Sequence, residues 1–243
     1  MTALELRGVH HAFAARPALD GLDLTVAAGE VVALVGLNGA GKTTALRVLT
    51  GRLRPDGGSA RVHGEDPARL GPDAARRFGH CVGTGLVSPD LTVTENLHAA
   101  ALLHGLPRGD VAAASAVVVD RLDLGGWAHA HARALSAGNA QRLGIACAVV
   151  HSPDALVLDE PTSTLDPQGV VLVRRSVRLL ADDGAAVLVS SHHLDEVARV
   201  ADRVVVMHAG RVVGDLEPGP EMERRFFAAV LAADTGAALG ADR

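Results

Sequence analysis

The chain has 243 residues, 48% hydrophobic and 21% charged, with 27 Gly and 11 Pro, enough for one large α/β domain or two small ones around a sizeable core. Five aromatic residues occur (Phe13, Phe78, Trp127, Phe226, Phe227) and no Tyr, so the core rests on Val, Leu and Ala, and a single-strand nucleic-acid platform of stacked rings is excluded. A net charge of -5 with no basic block longer than two residues argues against phosphate-backbone binding and hence against nucleic acid as a partner. In chain order, Leu22, Leu24 and Val26 alternate with polar neighbours as in a strand. Glu30-Val-Val-Ala-Leu-Val35 is a continuous apolar run of the kind buried on both faces of a parallel sheet. Gly36 to Gly41 breaks it, and Lys42 to Gly51 carries a helical pattern with Leu46 and Leu49 inward. Pro55-Asp-Gly-Gly58 reads as a turn, Ala60 and Val62 as a short strand, and Phe78 to Val82 as a strand before a loop holding Gly83, Gly85 and Pro89.

From Thr92 to about His131 Ala and Leu recur at helical spacing, broken by Gly105-Leu-Pro107 and Gly125-Gly126, which predicts an inserted helical subdomain. Beyond it the pattern predicts helices over 138–152, 167–182 and 194–201 and strands over 155–158, 185–190 and 204–207. A helix over Glu221 to Leu231 follows, with a frayed end from Ala232 to Arg243. Strands alternating with helices of this length imply βαβ units and a parallel sheet. Cys81 and Cys147 lie far apart and match no metal spacing, so neither a disulfide scaffold nor a zinc site is expected. No apolar run approaches the roughly 18 residues of a spanning helix, and Met1 to Arg7 lacks the pattern of a leader.

Of the 23 basic residues one is a lysine, Lys42, and it stands in Gly36-Leu37-Asn38-Gly39-Ala40-Gly41-Lys42-Thr43, followed by Thr44. This fits G-x-x-x-x-G-K-[ST] between a buried strand and a helix. Such glycines let backbone N–H groups curl around an anion, the helix N-terminus adds positive potential, Lys42 reaches terminal phosphates, and the Thr43 hydroxyl suits a magnesium ion (Mg). A carboxylate is also required to hold the metal, and Asp159 supplies it at the end of the apolar strand Ala155 to Leu158. Glu160 follows at once, placed to orient and deprotonate an attacking water. An Asn-Lys-x-Asp guanine-reading element is impossible in a chain whose sole lysine is elsewhere, so ATP is the expected nucleotide. Phe13 is either a core residue or a platform stacked on the adenine.

Three further segments carry a family resemblance. Leu135-Ser136-Ala137-Gly138-Asn139-Ala-Gln-Arg-Leu143 resembles the LSGGQ signature of ATP-binding-cassette (ABC) ATPases. Asp159-Glu-Pro-Thr-Ser-Thr-Leu-Asp166 looks like the second Walker motif running into the D-loop, and Ser190-Ser-His192 looks like the switch-histidine loop. The motifs stand in the family's order and cover about nine tenths of the chain. The resemblance implies an α/β P-loop NTPase (RecA-like) with a parallel sheet, an N-terminal antiparallel β part and a helical insertion at about 84–137, residues 1–220 forming the ATPase domain and 221–243 a C-terminal helix and tail. It implies an ATP-hydrolysing subunit on the cytoplasmic face of the membrane, working with a membrane-spanning permease and a second ABC ATPase subunit. Ser136 to Asn139 would then act on the ATP of the opposite chain, Asp166 would lie at the seam, and His192 would hold Glu160, the water and the γ-phosphate in line. The segment Glu221-Met-Glu-Arg-Arg-Phe-Phe227 looks like the helix that closes many exporter ATPases, which favours export.

Three departures from the family pattern set further expectations. Ala137 and Asn139 replace Gly and Gln in the signature. Gly83, followed by Thr84, falls where the family carries a coupling glutamine, and Thr164 replaces a D-loop glycine. The alternative they raise is a degenerate module that binds ATP and regulates a catalytic partner. Leu97 and Ala101 are read as core of the insertion, and the loop Leu86-Val-Ser-Pro89 as the surface left for a partner.

Overall fold

The computed structural model describes residues 2–14, 16–83 and 86–241, with side chains through Thr235. Strand β1 (Thr2–Phe13) pairs antiparallel with β2 (Arg16–Ala27) on one side and with β4 (Gly57–Val62) on the other, giving a three-stranded sheet in the order β2-β1-β4. The second sheet has six strands in the order β5-β6-β7-β3-β8-β9, built from β3 (Val31–Val35), β5 (Phe78–Cys81), β6 (Ala155–Asp159), β7 (Ala186–Ser191), β8 (Arg203–His208) and β9 (Arg211–Leu216). All its pairings are parallel except β8 with β9. Every residue of β3 and β7 is buried, which is why these runs are apolar without alternation.

Side-chain alternation in β3 divides the interior. Val32 and Leu34 pack with Leu4, Leu6 and Leu22 of the antiparallel sheet and with Leu46 and Leu49 of α1 (Lys42–Leu49). Val31, Ala33 and Val35 face the other core, with Leu143 and Ile145 of α5 (Ala137–Val149) and Val173 and Val177 of α6 (Pro167–Asp182). Between β4 and β5 lies the single-turn α2 (Pro72–Arg76). The insertion holds α3 (Val93–Leu103) and α4 (Val111–Arg121). Leu97 and Ala101 are fully buried in it as expected, whereas Leu102 is exposed. Asn96 is buried and pins the preceding loop: it accepts from the Ser88 N–H at 2.8 Å and donates to the carbonyls of Ser88, Leu91 and Thr92.

Several boundaries differ from the expectation for local reasons. α5 ends at Val149 because Ser152 adopts a left-handed φ of 53° and Pro153 follows. The predicted helix over 194–201 is only α7 (Leu194–Val197). The C-terminal helix α8 (Met222–Ala241) does not fray at Ala232. Its Ala-rich continuation favours helix, and Asp234 accepts a 2.7 Å hydrogen bond from His208 of β8. Among the described residues no helix is long and apolar enough to cross a membrane.

Where the end of α3 meets α2, β5 and the end of α5, three histidines gather. The rings of His104 and His151 stack in parallel, 3.7 Å between centroids. His104 Nδ1 pairs with the Ala75 carbonyl at 3.2 Å, while both ring nitrogens of His151 and Nδ1 of His80 have no hydrogen-bond partner among the described residues. Burial, followed by the nearby His104, pushes the His151 imidazole down to about 3. Burial also lowers His80, with Arg52 and His104 adding to it, and lowers His104. Because these folded-state values lie below that of a free histidine, the unfolded chain takes up protons first as the pH falls. Stability is therefore fully present above about pH 7 and is lost below about pH 6.5, by up to about 1.4 kcal/mol per pH unit for His151. Urea titrations at pH 7.5 and 5 are expected to show this loss, and His151→Phe, which keeps a ring in the stack without the titration, is expected to flatten it. An unchanged pH slope in that variant would place the acid sensitivity elsewhere.

Candidate functional site

The loop 36–41 connects β3 to α1, and its last residue fixes how α1 begins. Gly41 has φ 104°, and a Cβ there would lie 2.4 Å from the Ala18 carbonyl oxygen, so the turn admits glycine alone. Lys42, 7% exposed, folds back so that Nζ donates to the Gly36 carbonyl at 2.7 Å and lies 3.7 Å from Glu160 Oε1. Thr43 Oγ1 donates to Asp159 Oδ1 at 3.3 Å, joining the start of α1 to the end of β6.

The acidic pair is held from the neighbouring strand. Parallel register sets Asp159 beside Ser190, and the Ser190 hydroxyl donates to Asp159 Oδ1 at 2.6 Å while accepting the Glu160 N–H at 2.9 Å. Glu160 itself is left-handed, φ 47°, a conformation that costs a non-glycine residue about 1–3 kcal/mol and persists where surrounding bonds over-determine it. The turn aims its carboxylate across the end of the sheet, so that Oε2 lies 2.8 Å from His192 Nδ1. A carboxylate only accepts, so the ring nitrogen donates. Thr162 donates to Glu196, tying the segment after Glu160 to α7.

One cavity of about 390 Å3 is lined by Phe13, Asn38 to Thr44, Glu160, Ser163 and His192. Phe13 is 48% exposed at its rim, edge-on to His11, so it is no core residue. Leu37 points instead into a neighbouring cavity of about 380 Å3, shared by Gly36, His192, Phe226 and Phe227, where α8 approaches the loop. The sequence did not reveal that approach, nor that Ser190 joins Asp159 to Glu160 or that Ser163 lines the cavity. Ser190 is legible only once the register with Asp159 is known, because the two are far apart in sequence.

Ser136 to Asn139 lie outside this cavity, at the start of α5. Ser136 caps the helix, accepting the Asn139 N–H at 3.3 Å, and both Ser136 and Ala137 are exposed. Asn139 is buried, its amide oxygen taken by Arg142. A Cβ on Gly138 would stand 3.1 Å from the Thr164 carbonyl oxygen, so the two motifs adjoin within the chain. Thr164 is not left-handed, so a side chain there meets no backbone penalty. Asp166 caps α6 by accepting the Gly169 N–H at 2.7 Å. Gly83 follows β5 with φ 68° and is exposed, a backbone reason for glycine besides the missing side chain; Thr84 lies outside the described residues.

Residues 19–163 match the ABC transporter family. The chain belongs to that family. The daunorubicin/doxorubicin resistance ATP-binding protein DrrA of Streptomyces peucetius is 41% identical over 214 residues, 88% of this chain and 64% of that protein, so the chain spans just under two thirds of the relative's length. A Nod factor export ATP-binding protein I of Cupriavidus metallidurans is 35% identical over 90% of this chain and 72% of its own. Among solved structures, an ATP-binding subunit of an ABC transporter superposes with a TM-score of 0.83 at 28% identity, covering 94% of both chains.

The nearly buried Lys42 has no cationic neighbour of its own kind in the loop to replace it. Lys42→Ala is expected to weaken ATP binding ten- to a hundredfold, as the loss of a charged hydrogen bond worth about 1.5–3 kcal/mol implies. Calorimetric affinity equal to that of the unaltered protein would reduce the loop to a turn.

Proposed function

We propose that this chain hydrolyses ATP to drive export by a membrane-spanning permease, pairing with a second ABC ATPase subunit at the cytoplasmic face of the membrane. The observation that carries the reading is the convergence of Lys42, Thr43 and the Glu160–His192 pair on one cavity, with the Asp159 carboxylate joined to it through the Thr43 hydroxyl. Thr43 Oγ1 and Asp159 Oδ1, 3.3 Å apart, are hard oxygen donors at the end of a buried strand, which fits magnesium. When bound, that ion would neutralise charge on the phosphates. The loop N–H groups and Lys42 hold the β- and γ-phosphates, Phe13 stacks on the adenine from the rim, Glu160 takes the proton of the attacking water, and the His192 N–H keeps the Glu160 carboxylate turned toward it.

The position of the α5 N-terminus outside the cavity, with Ser136 and Ala137 exposed, supports a role in trans. Asn139 holds Arg142 instead of a nucleotide, and Asp166 holds α6 beside the seam. The name of the Cupriavidus relative, a Nod factor export protein, supports export, as does the form of α8. The exposed Leu86 and the loop that Asn96 pins support docking of the permease there. A non-hydrolysing regulatory module is disfavoured because Glu160 and His192 are both present and already paired.

Glu160→Gln keeps the shape and loses the base, so it is expected to bind ATP within about threefold of the unaltered chain while phosphate release falls by a factor of about 100 to 10,000. Undiminished release would remove Glu160 from the reaction. The same variant with Mg-ATP is expected to elute as a dimer in size-exclusion chromatography, alone or with a partner ATPase. Adding Ser136→Arg is expected to abolish the dimer and spare ATP binding, and a dimer that persists would place the seam elsewhere.

A further inference from the structure

We propose that Ser190 is a positioning residue of the hydrolytic site, one hydroxyl setting both the Asp159 carboxylate and the Glu160 backbone. The proposal rests on the hydrolytic reading above. Ser190 is fully buried, 0% exposed, at the end of β7, in register with Asp159. Its single O–H is spent on Asp159 Oδ1 at 2.6 Å, and a lone pair receives the Glu160 N–H at 2.9 Å. Thr43 reaches the same carboxylate oxygen at 3.3 Å, so the shorter and more buried bond from Ser190 sets how the carboxylate is turned. The bond to the Glu160 N–H fixes the left-handed turn that carries the Glu160 side chain to His192.

A hydroxyl is the smallest group that donates and accepts at once. Alanine does neither, leaving a buried N–H unpaired and the Asp159 carboxylate free to rotate. Threonine does both, and a small cavity of about 30 Å3 bordered by Ser190, Val173 and Val177 adjoins the position where its methyl must fit. Because Ser190 does not line the cavity of the phosphate loop, its loss acts on magnesium and on turnover and leaves nucleotide contact to the loop.

The test measures, on the full chain, the magnesium concentration that half-saturates binding of a fluorescent ATP analogue, together with kcat and KM for ATP. Ser190→Ala is expected to raise the magnesium requirement about fivefold or more and to lower kcat at least about twentyfold, with KM moving less than about threefold. Ser190→Cys, which keeps the volume but donates and accepts weakly, is expected to fall with alanine, and Ser190→Thr to return both quantities to within about threefold of the unaltered chain. The cysteine variant carries the same comparison if alanine does not fold. A magnesium requirement and kcat unchanged in these variants would overturn the proposal. Losses of equal size in threonine and alanine, accompanied by equally lowered melting temperatures, would overturn it too, reducing Ser190 to packing. If the unaltered chain shows no turnover, the hydrolytic reading fails by itself, and the magnesium titration still decides the role of Ser190.

Discussion

The parallel register of β3, β7 and β6 is the constraint on which the rest of the site depends. These strands lie side by side, β7 in the middle, with Val35 level with Ser191 and Asp159 level with Ser190. Neighbouring strands stand about 4.8 Å apart, so the three loops leaving their carboxyl ends emerge within reach of one another: the glycine loop, the acidic pair and the histidine loop. Each ends a strand buried on both faces, and a slip of one residue would turn every side chain of that strand to the opposite core. The residues that package the sheet therefore also fix the distance between Lys42 and Glu160, although neither packs in it. Ligand crevices outside the carboxyl ends of parallel strands arise in this way.

The site is polar where the sheet is not, and it survives because each polar group has a partner already. Lys42 is held by the Gly36 carbonyl, Asp159 by Ser190 and Thr43, Glu160 by Ser190 through its backbone and by His192 through its side chain. The left-handed Glu160 lies in the middle of this network. Strain there is tolerated because several bonds demand the same conformation, and the result is a carboxylate whose direction is set before any ligand arrives. The His80, His104 and His151 cluster shows the opposite case: burial keeps these rings neutral, and their neutrality is what ties stability to pH.

What the sequence made legible follows from how local each signal is. The glycine loop, its lysine and the apolar runs before Gly36 and Asp159 are contiguous patterns, and they place β3, α1 and β6 correctly. β9 was hidden because an edge strand half open to solvent carries no continuous apolar run and includes Gly214. The length of β1 was hidden by register shifts around Gly8, which break alternation. Phe13 left two readings open from its own neighbourhood, and the structure decides between them through the hairpin end it occupies, paired with Arg16. Asn139 stands in a motif read by position, yet its side chain is buried on Arg142, one turn along the helix, which also donates to the Leu122 and Asp123 carbonyls and lies against the Asp123 carboxylate. Nothing near Asn139 in sequence announces that Leu122 and Asp123 hold its partner.

The C-terminal helix belongs to the scaffold of the site rather than to its periphery. Met222, Phe226 and Val230 recur every four residues and are buried in the core that also receives Val31, Ala33 and Val35 of β3. Phe226 reaches further, to the wall of the cavity formed by Gly36, Leu37 and His192. One side of the glycine loop is thus backed by α8 and the other by α1, and the histidine loop lies between α8 and the acidic pair. A displacement of α8 has to open a close-packed core beneath β3, so the helix resists motion of the loops it touches, and the bond from His208 to Asp234 holds its later turns against β8. The position of His192 relative to Glu160 accordingly depends on a segment that contributes no chemical group to the cavity.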